Sequence, residues 1–326
     1  MTDNIRKEDR LSVGVVGLGR MGLPVAARLA LAGWTVVGLD PGAESRRRAQ
    51  ARGVAAAESL PELCRRLPAP RLIWLMVPAG EAVDAVLFGR PGGEGEADAL
   101  AGLLTPGDLV VDAGNSFYRD SQRRAAALAE RGLAYLDSGT SGGVEGAENG
   151  LCLMVGGPPE AFAAARPVLE ALAQPGGCAY VGPSGAGHFV KMVHNGIEYG
   201  MLEAIGEGFE LLAQGPYPDL DLERIAHLWN RGSVVRGWLM ELMERAFARD
   251  PRLDALKGVV GGGATGSWAI EEAWKAGVPF PAIAIAYAMR HRSRQEDSFS
   301  GKVVAALRRE FGGHETVGAK EVEEKP

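Results

Sequence analysis

The segment Gly187-His188-Phe189-Val190-Lys191-Met192-Val193-His194-Asn195-Gly196-Ile197-Glu198-Tyr199 concentrates side chains that can do chemistry. Placed on a helix at roughly 100° per residue, Lys191, His194, Asn195, Glu198 and Tyr199 fall within one arc. Val190, Val193, Ile197 and Met201 fall on another side. Two titratable groups of opposite kind, held two turns apart by one rigid element, can act as base and acid on one substrate. A lysine used as a base must give up its proton, and burial or nearby positive charge lowers its pKa toward neutrality. A charged stripe is more often a solvated helix face with a structural ion pair. Two features argue otherwise: imidazole and amide accompany the charges, and the stripe follows the glycine-rich Pro183-Ser184-Gly185-Ala186-Gly187.

A second motif stands near the start. Gly17-Leu18-Gly19-Arg20-Met21-Gly22 fits G-x-G-x-x-G, follows an apolar run from Leu11 to Val16, and opens a helical pattern. In that context the string predicts a dinucleotide site. Gly17 permits the tight turn, Gly19 removes a side chain where backbone meets pyrophosphate, and Gly22 lets helix and strand pack closely. The helix N-terminus offers N–H groups and partial positive charge to the phosphates. Asp40 ends the next apolar run, where a carboxylate suits a ribose 2′-OH and repels a 2′-phosphate. This favours NAD over NADP. Arg46, Arg47 and Arg48 follow, either as phosphate ligands or as a solvated helix face. Met76-Val77-Pro78-Ala79-Gly80 closes a later strand, and Val77, Pro78 and Ala79 either line the cofactor or form a plain loop.

These motifs need a frame. Short apolar runs at Leu11–Val16, Trp34–Leu39, Ile73–Val77, Leu109–Asp112, Ala134–Asp137 and Leu151–Val155 read as buried strands. Helical stretches such as Ser121–Arg131 separate them, which predicts a doubly wound Rossmann-type α/β domain over residues 1–182. From 183 to 326 helical patterns replace strands: Gly187–Gln214, Leu222–Asn230, Val235–Phe247, Trp268–Ala276, Ile283–Arg294 and Ser298–Glu310. An all-α second domain with a charged C-terminal tail is expected. Residues 1–10 read as a polar lead without the apolar core of a signal peptide.

The bulk composition agrees with a soluble enzyme. The chain has 326 residues, 46% hydrophobic and 23% charged, which suits two domains with sizeable cores. A net charge of −6 argues against a nucleic-acid surface. The three cysteines, Cys64, Cys152 and Cys178, form no C-x-x-C pair, so neither a disulfide framework nor a metal site is expected. A reducing cytoplasm and no membrane partner follow.

The residues then carry a resemblance. K-M-V-H-N-G-I-E-Y-G at 191–200 resembles the catalytic helix of the 6-phosphogluconate dehydrogenases. D-A-G-N-S-F-Y at 112–118 is similar to the family's substrate and nicotinamide loop, and S-G-G-V-E-G-A at 141–147 to its glycine-rich substrate loop. S-R-Q-E-D-S-F at 293–299 and F-G-G-H at 311–314 resemble the end of its short form. The resemblance implies oxidative decarboxylation of 6-phosphogluconate to ribulose 5-phosphate, with reduction of NAD or NADP, in the pentose phosphate pathway. It implies Lys191 as base and then acid, and Glu198 as the acid that protonates C1 of the enediol. It places the sugar acid on Asn115, Ser141, Gly142, Gly143, His194 and Asn195, and the phosphate on Tyr199, Thr265 and Arg290. Asn115 also belongs to its nicotinamide loop. Arg308 and His314 match residues supplied by a neighbouring subunit, which implies a homodimer or homotetramer. One departure concerns the loop Gly261–Trp268, where Gly263 stands at the position of a lysine in long forms. Backbone N–H groups can bind phosphate there, or the loop is a flexible turn. Another β-hydroxyacid dehydrogenase, or a catalytically silent cofactor-binding protein, is the competing reading.

Overall fold

The structure, a computed structural model of the chain, describes residues 11–90, 95–261, 264–312 and 315–317. The chain divides into two compact units, Met1–Asn195 and Gly196–Pro326.

The first unit alternates strands and helices: β1 (Ser12–Val16), α1 (Gly22–Leu31), β2 (Thr35–Leu39), α2 (Ala43–Gln50), β3 (Ala55–Ala57), α3 (Leu60–Arg65), β4 (Leu72–Leu75), α4 (Glu81–Phe88), α5 (Leu100–Leu103), β5 (Leu109–Asp112), α6 (Tyr118–Ala129), β6 (Ala134–Ser141), α7 (Gly143–Asn149), β7 (Leu151–Gly156), α8 (Pro159–Leu172) and β8 (Ala173–Gly182). The described strands form one eight-stranded sheet in the order β3-β2-β1-β4-β5-β6-β7-β8. From β3 to β6 every pairing is parallel. The order reverses between β1 and β4, the switch point at which open α/β sheets bind ligands beyond their strand ends. The central strands are apolar runs because both faces are covered. Val13, Val15 and Trp74 join one buried cluster, and Val16, Ile73 and Leu75 join another.

Three details depart from the sequence expectation. β3 is three alanines, too short and small to show as a strand. β8 is an edge strand holding Pro175, Gly176 and Gly177, residues that an edge tolerates and a central strand does not. β7 runs antiparallel to β6, so the sheet is not parallel throughout. The connection from Ser141 to Leu151 is too short for a crossover, which needs a dozen or more residues, so the chain turns back.

The helix carrying Lys191, α9 (Ala186–Gln214), starts against β6 and β7. Its approach is backbone to backbone. A Cβ on Gly187 would stand 2.2 Å from the Asp137 carbonyl oxygen and 2.5 Å from that of Met154. A Cβ on Gly139 would stand 2.4 Å from Lys191 Cβ, and one on Gly156 would stand 2.6 Å from Gly187 N. Three glycines therefore set how closely the first turn of α9 lies on the sheet.

The second unit continues α9 and adds α10 (Leu222–Trp229), α11 (Trp238–Arg249), α12 (Thr265–Lys275), α13 (Pro281–Arg292) and α14 (Phe299–Gly312), with no strand among its described residues. Asp221 caps α10 by accepting from Arg224 N at 2.9 Å. Phe209, Leu222, Ala226, Met240 and Phe247 form its buried core. No residue of α14 is buried.

Because Gly187 meets carbonyl oxygens that cannot rotate away, Gly187→Ala is expected to cost about 1–3 kcal/mol or more. Thermal unfolding followed by circular dichroism should show a melting temperature several degrees lower.

Candidate active site

The glycine-rich turn follows β1 at the switch point. Gly17 has φ +93°, and a Cβ there would stand 2.4 Å from the Met76 carbonyl oxygen. A Cβ on Gly22 would stand 1.8 Å from the Gly17 oxygen. Both glycines are required by packing within the protein. Gly19 is not, since a Cβ there would meet no protein atom within 4 Å. Its backbone is bare on the side where a ligand would approach, which is what a pyrophosphate needs. The Leu18 side chain lies in the core. Its N–H donates to Asp40 Oδ2 at 2.8 Å, and Gly42 N donates to Oδ1 at 2.8 Å. Asp40 thus braces the turn while keeping lone pairs for a ribose hydroxyl. Arg20 is exposed, and Met21 occupies the N-cap position of α1. Arg46 donates to the carbonyl oxygens of Asp40 and Pro41, and Arg47 pairs with Glu44 at 2.7 Å. Neither guanidinium is arranged as a 2′-phosphate clamp, so the residues present suit NAD.

Val77, Pro78 and Ala79 follow β4 at the same edge of the sheet, and Pro78 and Ala79 are exposed. Asn115 follows β5 and is exposed too. The end of β6 supplies Ser141, and Gly142 and Gly143 turn into α7 with φ +124° and +58°.

The first turns of α9 bring the polar residues of this unit together. Ser141 Oγ lies 3.1 Å from His194 Nε2. His194 Nδ1 lies 3.3 Å from both Lys191 Nζ and Asn195 Oδ1. Asn195 Nδ2 donates to Asn115 Oδ1 at 3.3 Å. Five of the residues expected from sequence, Asn115, Ser141, Lys191, His194 and Asn195, are therefore joined in one network in the first unit. His194 Nδ1 can accept from an ammonium or donate to a neutral amine, so the imidazole can follow the lysine's protonation state by changing tautomer.

The exposure pattern of α9 is inverted relative to a surface helix. Lys191, Asn195 and Tyr199 are 8%, 9% and 8% exposed, whereas Ile197 and Met201 are 52% and 49% exposed. The polar stripe is the buried side, which removes the solvated-face reading. Glu198 is half-buried, on the turn between Asn195 and Met201.

In the second unit Tyr199 is held from two directions. Its hydroxyl lies 3.3 Å from Thr265 Oγ1, and the Arg290 guanidinium carbon lies 3.6 Å from its ring centre. Arg290 also donates to the Gly261 carbonyl oxygen at 3.2 Å. Thr265 begins α12, so a helix N-terminus, a hydroxyl pair and a guanidinium share one locality, a combination suited to an anion. Arg308 stands on the exposed α14. Gly263 and His314 lie outside the described residues.

Some positioning residues were not singled out in the sequence. Asp137 is fully buried, and its carboxylate accepts from Gly185 N at 2.7 Å and His188 N at 2.9 Å. It caps α9 just before Lys191, where a negative charge is favoured by the helix dipole. The buried His188 is fixed in turn by Ser121 Oγ at 2.7 Å from Nδ1. The legible signal is an aspartate within the apolar run that becomes β6 (Ala134–Ser141), but nothing in its spacing points to residue 185. Among the described residues no three His, Cys, Asp or Glu side chains gather as a metal site, and no helix is long and apolar enough to cross a membrane.

Comparison with known proteins adds independent findings. A family profile described as the NAD binding domain of 6-phosphogluconate dehydrogenase matches residues 12–182. A second, described as the 6-phosphogluconate dehydrogenase C-terminal domain, matches residues 187–310. The NAD(+)-dependent, decarboxylating 6-phosphogluconate dehydrogenase of Haloferax volcanii is 48% identical over 94% of this chain and 98% of its own length. The NADP(+)-dependent, decarboxylating enzyme of Bacillus subtilis is 36% identical over 83% of this chain but only 59% of its own. The Plasmodium falciparum 6-phosphogluconate dehydrogenase structure aligns with a TM-score of 0.78 and 27% identity, over 95% of this chain and 67% of that one.

Asp40→Ala removes both the brace of the turn and the ribose acceptor. Fluorescence titration should find NADH bound about tenfold more weakly, with no compensating gain for NADPH.

Proposed function

The chain belongs to the 6-phosphogluconate dehydrogenase family, and on that premise we propose that it converts 6-phosphogluconate to ribulose 5-phosphate and CO2 with reduction of NAD, Lys191 serving as base and Glu198 as acid. The observation that carries the assignment of roles is the inverted α9, which buries Lys191, Asn195 and Tyr199 while leaving Ile197 and Met201 exposed. Burying such a stripe is tolerable because its groups hydrogen-bond one another and their neighbours, and it holds base, imidazole and amide in fixed positions for a substrate.

The glycine turn at Gly17–Gly22, Asp40, Val77–Ala79 and Asn115 would hold the dinucleotide. When bound, NAD supplies the hydride acceptor for C3 of the substrate. Lys191 takes the C3 hydroxyl proton as the carbonyl forms, with His194 Nδ1 beside it able to match either protonation state. The protonated Lys191 then donates toward the C3 oxygen as the carboxylate leaves as CO2, stabilising the developing enolate. Glu198 protonates C1 of the resulting enediol. Ser141, Gly142, Gly143, Asn195 and Asn115 are assigned to the sugar acid, and Tyr199, Thr265 and Arg290 to the phosphate. The stacked, backbone-anchored Arg290 is the cation of that set.

A homo-oligomer, dimer or tetramer, completes the reading. It is supported by the wholly exposed α14, where Phe299 and Phe311 are 80% and 76% exposed, and by the family resemblance of Arg308 and His314. A cytoplasmic place in the pentose phosphate pathway or gluconate use follows from the same activity.

Steady-state kinetics with 6-phosphogluconate, gluconate and 3-hydroxyisobutyrate, each with NAD and with NADP, tests the proposal. The expected result is turnover of 6-phosphogluconate with NAD preferred and one CO2 released per NADH. Comparable turnover of hydroxyisobutyrate without CO2 would overturn it. Lys191→Met should lower kcat by about a thousandfold while NADH still binds.

A further inference from the structure

Arg124 lies on α6 and is wholly buried, and its hydrogen bonds go to neighbours of the residues assigned to the cofactor and not to those residues themselves. Two of its nitrogens go to the start of α4 and the third to the loop after β5. Nε donates to Asp84 Oδ1 at 2.8 Å, at the start of α4. Nη2 donates to the Gly80 carbonyl oxygen at 3.0 Å, immediately after Pro78 and Ala79. Nη1 donates to Ser116 Oγ at 3.2 Å, next to Asn115, and lies 3.6 Å from Asp112 Oδ2. Asp112 ends β5 and gathers the same loop, accepting from Gly114 N at 3.1 Å, Ser116 Oγ at 2.8 Å and Tyr135 hydroxyl at 2.9 Å.

Buried charge of this kind is expensive and weak as a source of stability. Its return is geometric. Three donors in one rigid plane fix two segments relative to each other, which an ammonium on a flexible stem cannot do. The segments are the loops after β4 and β5, on the ligand-binding edge of the sheet. Both carry exposed residues, Pro78 and Ala79 on one and Asn115 on the other.

We infer that Arg124 is a positioning residue for the cofactor: its guanidinium sets the spacing of the Val77–Gly80 and Gly114–Ser116 loops between which the nicotinamide end of NAD is held. This rests on the functional reading above for the identity of the cofactor. Burial pulls the Arg124 pKa down, but the Asp84 hydrogen bond and the nearby acidic groups outweigh it and keep the group charged. Burial and the Asp112 charge push the Tyr135 hydroxyl well above its ordinary value, so it remains a donor to Asp112.

Arg124→Lys keeps the charge and removes the fork. Ser116→Ala leaves every charged side chain in place and removes only the hydroxyl that links Arg124 to Asp112. The expected result for Arg124→Lys is an NADH dissociation constant and a KM for NAD both raised about tenfold, with lower kcat. The KM for 6-phosphogluconate should stay within about twofold. Ser116→Ala should move the same constants in the same direction by less. Should Arg124→Lys fail to fold, Ser116→Ala and Asp84→Asn carry the test. Wild-type NADH affinity in the folded variants, or equal loss toward NAD and 6-phosphogluconate, overturns the inference. If the wild-type enzyme does not turn over 6-phosphogluconate, the functional reading fails, whereas NADH titration of the variants still decides the role of Arg124.

Discussion

The buried carboxylate of Asp137 at the head of α9 is the interaction on which the rest of the site depends. It sits on β6, accepts the Gly185 and His188 N–H groups, and so ends the glycine-rich approach and begins the helix at one place. Gly139, Gly156 and Gly187 let that first turn press backbone against backbone. Lys191 comes one turn later, with its Cβ directly over Gly139. The rotation of α9 about its axis is thereby set at its root. Within the first unit that rotation turns Lys191 and Asn195 to the buried side.

The sheet supplies the complementary constraint. Parallel strands from β3 to β6 deliver their following loops to one edge, so the glycine turn, Asp40, Val77–Ala79, Asn115 and Ser141 meet there although they are far apart in sequence. Fine spacing comes from buried polar groups between the loops. Asp40 braces the glycine turn, Asp112 and Arg124 brace the loops after β4 and β5, and Ser121 on α6 fixes His188 beside the capped start of α9. One helix, α6, thus reaches both the cofactor-side loops and the base's helix through residues three positions apart.

Much of this could be read from residues in order. Gly17, Gly19 and Gly22 declare their roles by spacing, and the structure separates them as packing, bare and packing positions. The Lys191–Tyr199 stripe was legible because helical periodicity is local. Which face of it is buried was not, since that depends on Asp137, about fifty residues earlier. β3 and β8 were missed because three alanines and a glycine-proline edge strand carry no strand pattern. The reversal of β7 follows from a short connection, a feature visible in the sequence only once β6 is known to extend to Ser141. Arg124 looked like one more arginine in an alanine- and arginine-rich helix; its burial is a tertiary fact.

Asp137→Asn is the most direct test of this account, because it is nearly isosteric and changes only the charge and the acceptors offered to the head of α9. Stopped-flow measurement of the first-turnover rate of NADH formation from 6-phosphogluconate should show a fall of about tenfold or more, with NADH binding to the glycine turn unchanged. A variant that forms NADH at the wild-type rate would contradict the claim that this cap sets the position of Lys191.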